Sequence, residues 1–230
     1  MQQFIYIYRM TCDTGCAPCV YDKGYITTDM LTLACCKGGQ IRKKKGVNTG
    51  LRYTIGSKHQ EGIKNKTEDV YVIGVMKNRL VYIAQITDVC EMKDYFADDK
   101  YKRRLDSIYN YSETPKTSCG KQFYFIRNNN NPNFHPEGEC GLHKRDELGR
   151  FVLISKSFAY FGKQFNAKIN NEKYNSILPK RQETKLYFFG QYGFDIAIEL
   201  INEYWNNNIC IVSNEPTERI AENSSGCKQK

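Results

Sequence analysis

Residues 70–89 constrain this chain's fold more than any other stretch. Val70 to Val75 and Leu80 to Val89 are dense in β-branched and aromatic residues, and only Met76-Lys77-Asn78-Arg79 lies between them. That connection is of hairpin length, so the two runs are expected to be paired strands. Further strand candidates are Phe4 to Arg9, Met30 to Ala34, Phe123 to Ile126, Phe151 to Ile154 and Phe158 to Phe161. Gly15 and Pro18 mark a loop after the first of these, and Gly38-Gly39 a turn into the basic run Arg42 to Lys45. Glu91 to Tyr109 reads as a short helix and a winding surface segment, and Asn128 to Asn133 as a polar loop. Near the end, Phe194, Ala197, Ile198, Ile201, Tyr204 and Trp205 form the stripe of an amphipathic helix that packs outside the strands. The class expected is α+β, with a strongly bent, mostly antiparallel sheet or barrel and a packed C-terminal helix. The main domain is expected over residues 1–165, a helical extension over 166–212 and a disordered tail over 213–230.

With 230 residues the chain has the length of one sizeable core, and no apolar run approaches the roughly 20 residues of a membrane-spanning helix. Its first residues lack the pattern of a secretion signal, so a cytoplasmic location and no membrane partner are expected. In that compartment the ten cysteines are expected as free thiols or metal ligands rather than disulfides. Lys+Arg of 34 against Asp+Glu of 25 gives a net charge of +9, which favours an anionic partner: nucleic acid, a nucleotide or a phosphate-bearing ligand. The same charge also suits a basic face that contacts a protein partner. Nothing in the sequence sets the oligomeric state.

CDTGCAPC, residues 12–19, places Cys12, Cys16 and Cys19 at the spacing C-x3-C-x2-C. Three such thiolates suit an iron–sulfur cluster with an open iron for S-adenosylmethionine. The alternating strand and helix units of a radical enzyme are missing downstream, which argues against that class. Zinc is the softer alternative, with Cys35, Cys36, Cys119 or Cys140 as a fourth ligand. Only one clear CxxC pair exists, so buried structural thiols are favoured, with no metal and no cofactor.

Six blocks occur in order: IYRMTCDTGCAPC, LTLACCKGGQIRK, EDVYVIGV, RLVYIAQITDV, DYF and HKRDELGRFVLISKSFAYFGK. Together they resemble the second of the nucleotide modification associated domain families, found in phages and bacteria, over most of residues 4–163. Asp13, Thr14, Gly15, Ala17 and Pro18 match its first block, and Thr32, Cys36, Lys37, Arg42 and Lys43 its second. Tyr82 matches the third, and His143, Asp146, Tyr160 and Phe161 the last. Cys12 and Cys19 lie outside the family pattern. An insertion at about 48–66 and an Asn-rich loop before His135 depart from it. The resemblance implies a DNA modification or phage–host conflict setting. The order of strands and turns is also similar to PUA and EVE barrels, which receive bases in aromatic-lined pockets.

The expected ligand site combines cations for phosphate (Lys37, Arg42, Lys43), Asp13 for a base edge, and Tyr82, Tyr160 or Phe161 as stacking rings. Each tyrosine equally suits core packing, and Arg42 to Lys45 equally suits a solvated basic face. His143 and Asp146 suit general acid–base chemistry, which would make the protein an enzyme on nucleotides or bases. Their i, i+3 spacing makes them neighbours only on a helix, and in HKRDE they equally suit a surface salt-bridge cluster.

Overall fold

The computed structural model describes residues 1–37, 41–42, 47–48, 50–77, 79–118, 120–131, 144–162, 169, 172–205, 210–213 and 216. In chain order the elements begin β1 (Gln2–Arg9), β2 (Tyr21–Asp22), β3 (Tyr25–Ile26), β4 (Leu31–Leu33), β5 (Ile41–Arg42), β6 (Val47–Asn48) and α1 (Leu51–Lys64). There follow β7 (Glu68–Met76), β8 (Arg79–Ile86), β9 (Asp88–Glu91), α2 (Met92–Ala97), β10 (Tyr109–Ser118), β11 (Lys121–Arg127) and α3 (Lys144–Glu147). The rest are β12 (Phe151–Ser155), β13 (Ser157–Tyr160), α4 (Glu172–Asn175), β14 (Thr184–Phe188), α5 (Phe194–Tyr204) and β15 (Ile211–Val212).

Six strands form the main sheet in the order β14-β1-β7-β8-β13-β15, and β4-β12-β9 form a second sheet of three. The β7–β8 hairpin turns between Met76 and Arg79, as its sequence predicts. Pairing is mostly antiparallel, the exceptions being β1 with β7 and β13 with β15. The fold is therefore α+β with open sheets. The barrel alternative is corrected: the order runs from β14 at one edge to β15 at the other without the two pairing.

Both faces of the main sheet are covered, which explains why β1 reads as nearly unbroken apolar sequence. Alternation sends Ile5 and Ile7 to one side, where Tyr71, Ile73, Phe194, Ala197, Leu200 and Trp205 close a core under α5. Tyr6 and Tyr8 point the other way, into a core shared with Val70, Val72, Leu31, Leu33, Leu153 and the α1 residues Leu51 and Ile55. The three-stranded sheet turns Val152 and Ile154 outward onto a third cluster built from Tyr95, Phe96, Tyr101, Ile108 and Tyr109. The layers are thus α5, main sheet, second sheet with α1, and an outer layer of α2 and β10.

The inserted stretch around 48–66 contains α1, a 14-residue helix and the longest among the described residues. One expectation is corrected: the segment 91–109 holds the short helix read from its sequence, α2, but is no surface excursion, since Tyr95, Phe96, Tyr101 and Ile108 are buried. The C-terminal helix packs on the sheet as its stripe predicts. No described helix is long and apolar enough to cross a membrane.

Candidate functional site

Four residues stand in register across four adjacent strands: Tyr8 opposite Gly74, Gly74 opposite Tyr82, and Tyr82 opposite Tyr160. Gly74 makes the row work. A Cβ there would lie 2.2 Å from the Tyr82 ring and 2.8 Å from Met10 Sδ, so only glycine lets that ring cross its strand. Beside it, the β7–β8 register slips between Gly74 and Val75, leaving Val81 as an extra residue and sending both Val81 and Tyr82 into the same core. The Tyr82 hydroxyl then donates to the Tyr8 hydroxyl at 3.0 Å. At the far end the Tyr160 hydroxyl donates to Asp13 Oδ1 at 2.7 Å.

Asp13, fully buried, reaches this row because the chain leaves β1 after Met10, whose N–H donates to Val75 O at 2.7 Å, and turns at Gly15 (φ +74). A side chain at Gly15 would meet the Tyr21 ring at 2.5 Å and Pro216 at 2.6 Å. Burial raises the pKa of Tyr8, Tyr82 and Tyr160, with Asp13 adding to each. All three phenols therefore stay protonated, with Tyr82 and Tyr160 donating within the row.

The opposite end of the row carries Lys37, whose ammonium sits 5.1 Å from the centre of the Tyr8 ring. Lys37 follows Cys36, and both are left-handed, with φ of 54 and 57. Two successive side-chain-bearing residues in that region cost on the order of 1–3 kcal/mol each, so the surroundings must hold them there. Arg52 does so. From α1, fully buried, it donates Nε to Cys36 O at 2.7 Å, Nη1 to Phe151 O at 2.6 Å and Nη2 to Asp146 O at 2.7 Å. Asp146, also fully buried, accepts from Cys36 N–H through Oδ1 and from the Tyr109 hydroxyl at 3.0 Å through Oδ2. Its Oδ1 lies 3.7 Å from Arg52 Nη2. Gly149 leaves the guanidinium its space, since a Cβ there would sit 2.4 Å from Arg52 Cζ.

The sequence model for nucleotide modification associated domain 2 matches residues 2–223, from β1 past β15. The chain belongs to that family. No curated protein and no solved structure matches it significantly.

In this nucleotide modification associated domain 2 chain, the fold brings Asp13, Lys37, Tyr82 and Tyr160 into one row through Tyr8. Tyr82 and Tyr160 are fully buried and offer hydroxyls to it rather than open ring faces. Phe161 leaves the row, pointing to the other side of the sheet into the core under α5. Arg42 lies in β5, paired with Val47. Lys43 and His143 lie outside the described residues, and Asp146 is not solvated but part of the Arg52 clamp.

Thr32 donates to Asp106 Oδ2 at 2.6 Å, within a buried group completed by Tyr95 and Arg104. Cys16 Sγ lies 3.3 Å from Cys35 Sγ, whereas Cys19 Sγ turns to Tyr21 O at 3.5 Å, so Cys16 and Cys19 bond to different partners. Cys12 is half-buried. Hydrogen bonds from Cys16 and Cys36, and then burial, push the Cys35 thiol well above its ordinary pKa, which keeps it neutral. Among the described residues no three or more His, Cys, Asp or Glu side chains are grouped to hold a metal ion.

Sequence reasoning missed Tyr8, Gly74 and Arg52. A glycine inside the strongest strand was the available signal for the row. Arg52 carried none, because a buried arginine in a helix reads as an exposed one until its partners are known.

Proposed function

We propose that the protein binds a nucleotide or nucleic acid, modified bases included, in a cytoplasmic DNA modification or phage–host conflict setting. The observation that carries this reading is the meeting of a carboxylate, three phenols and an ammonium from four separated chain segments in one row. Lys37, half-buried at one end, meets phosphate together with Arg42 and Lys43. Asp13, buried at the other end, holds the Tyr160 hydroxyl, and the hydrogen-bonded tyrosines beneath form a rigid, polar floor for the base. Membership of a nucleotide modification associated family and the net charge of +9 support the same class of partner.

The acid–base alternative needs an available carboxylate at Asp146. That group already accepts from Cys36 N–H and Tyr109 and faces Arg52, which favours binding over catalysis there. A thermal-shift screen of free nucleotides, followed by calorimetry on the best ligand, tests the proposal. Lys37→Met and Arg42→Ala are each expected to weaken binding by more than about 1 kcal/mol at nearly unchanged melting temperature. Variants that bind as well as the parent would overturn it in favour of a basic protein-interaction face.

A further inference from the structure

A concavity lies in the outer layer and shares no residue with the Asp13–Lys37 row. It is a cleft of about 330 Å³ lined by Glu91, Met92, Lys93, Tyr111, Tyr124, Phe125, Glu147 and Arg150. Its volume is at the lower end of the range for small-molecule sites. The aromatic wall is built by the β10–β11 hairpin. Phe125 packs edge-on to Phe96 of α2 at 6.1 Å, which fixes the hairpin to the body of the protein. Tyr111, its cross-strand partner, turns to the same face, with the ring centres 5.3 Å apart, whereas alternation sends Tyr124 to the other side of the hairpin.

The rim is polar and balanced. Glu91 is held by Arg150 at 2.9 Å and by Lys93 at 3.3 Å, and Glu147 faces the same opening. Two cations and two carboxylates leave no excess of either sign, so the rim favours neither a polyphosphate nor a cation. It offers both donors and acceptors beside the aromatic wall. Arg150 is placed there deliberately by the backbone: it is left-handed (φ +53), its N–H donates to Glu147 O at 3.0 Å, and its carbonyl accepts from Met92 N–H at 2.8 Å.

We infer that this cleft receives a single unpaired base of a nucleic-acid strand, stacked on the half-buried Tyr111 ring beside Phe125 and hydrogen-bonded along its edge by the Glu91–Arg150 rim. A nucleobase is neutral, planar and rich in both donors and acceptors, which is the chemistry this rim complements. The strand's phosphates remain outside the cleft, and the protein's overall charge of +9 attracts them without regard to sequence.

The test uses the full chain and fluorescence anisotropy at one fixed salt concentration. The probes are a short mixed-sequence single strand and a strand of equal length made of abasic spacers. The parent is expected to prefer the base-bearing strand by about tenfold or more. Tyr111→Ala should remove most of that preference while leaving abasic-strand affinity unchanged, and Tyr111→Phe should retain it. Equal affinity of the parent for both strands, no strand binding, an equal loss on both strands in Tyr111→Ala, or a Tyr111→Phe that behaves like Tyr111→Ala would each overturn the inference. Free-nucleotide binding that depends on Lys37 would survive any of these results, so the two sites fail separately.

Discussion

Arg52 is the residue on which the candidate site most depends, although it touches neither Asp13 nor the tyrosines. Burying a guanidinium and a carboxylate costs several kcal/mol per ion, and here the cost is offset because Arg52 donates to three backbone carbonyls and Asp146 accepts from Cys36 N–H and the Tyr109 hydroxyl. Arg52→Met should therefore lose about 3–5 kcal/mol in urea denaturation, because it strands Asp146 and three carbonyls and releases the left-handed Cys36–Lys37 pair. A loss below about 1 kcal/mol would show that the clamp contributes little. The motif residues Asp13, Lys37, Tyr82 and Tyr160 were legible in the sequence because they recur as a family pattern. Arg52 was not, since its partners Asp146 and Phe151 are 94 and 99 positions away and no local signal joins them.

Among the elements, α1 is the least legible. Its buried stripe includes Arg52, Gly56 and His59, with His59 bonded to the Tyr6 hydroxyl at 2.8 Å and to Glu68 at 2.8 Å. A helix that buries polar groups has a blurred apolar period, which is why no helix is expected there from the sequence. Two effects oppose each other at Gly56. Alanine would raise helix propensity by about 1 kcal/mol, but its Cβ would stand 2.2 Å from the Phe151 ring, and overpacking of that kind costs about 1–3 kcal/mol. The ring is wedged between α1 and the second sheet, so the clash should win and Gly56→Ala should lower the melting temperature; a rise would mean that the ring moves aside freely. By contrast, the β7–β8 hairpin and α5 were plain in the sequence, because alternation and a 3.6-residue stripe are undisturbed there.

For the whole molecule, the α+β class and the covered sheet follow from the strand runs and one late helix. The parallel join of β1 to β7 does not, since a parallel neighbour depends on a crossover and the crossover here is the unread α1. The layers also set the response to alkali. Burial raises the pKa of Tyr6, Tyr8, Tyr71, Tyr82, Tyr95 and Tyr160, Tyr71 being pushed up to about 12. Below pH of about 10 these phenols are protonated in both states and stability is unaffected. Above it the unfolded chain releases protons that the folded one retains, so stability falls as pH rises, by about 1.4 kcal/mol per unit for each phenol. A domain of ordinary stability, about 5–15 kcal/mol, should then unfold cooperatively within about two pH units above 10. Circular dichroism and tyrosinate absorbance should change together; full ionisation of the 17 tyrosines with native dichroism would contradict this. The order β14-β1-β7 has a further consequence during synthesis. Both neighbours of β1 are made later, the outer one only when residues 184–188 appear. At about 5–20 residues per second, one edge of the apolar segment Phe-Ile-Tyr-Ile-Tyr stays unmatched for roughly 10–40 s after leaving the ribosome. The nascent chain is thus most prone to mispairing at its first strand, and release of the last quarter ends that exposure.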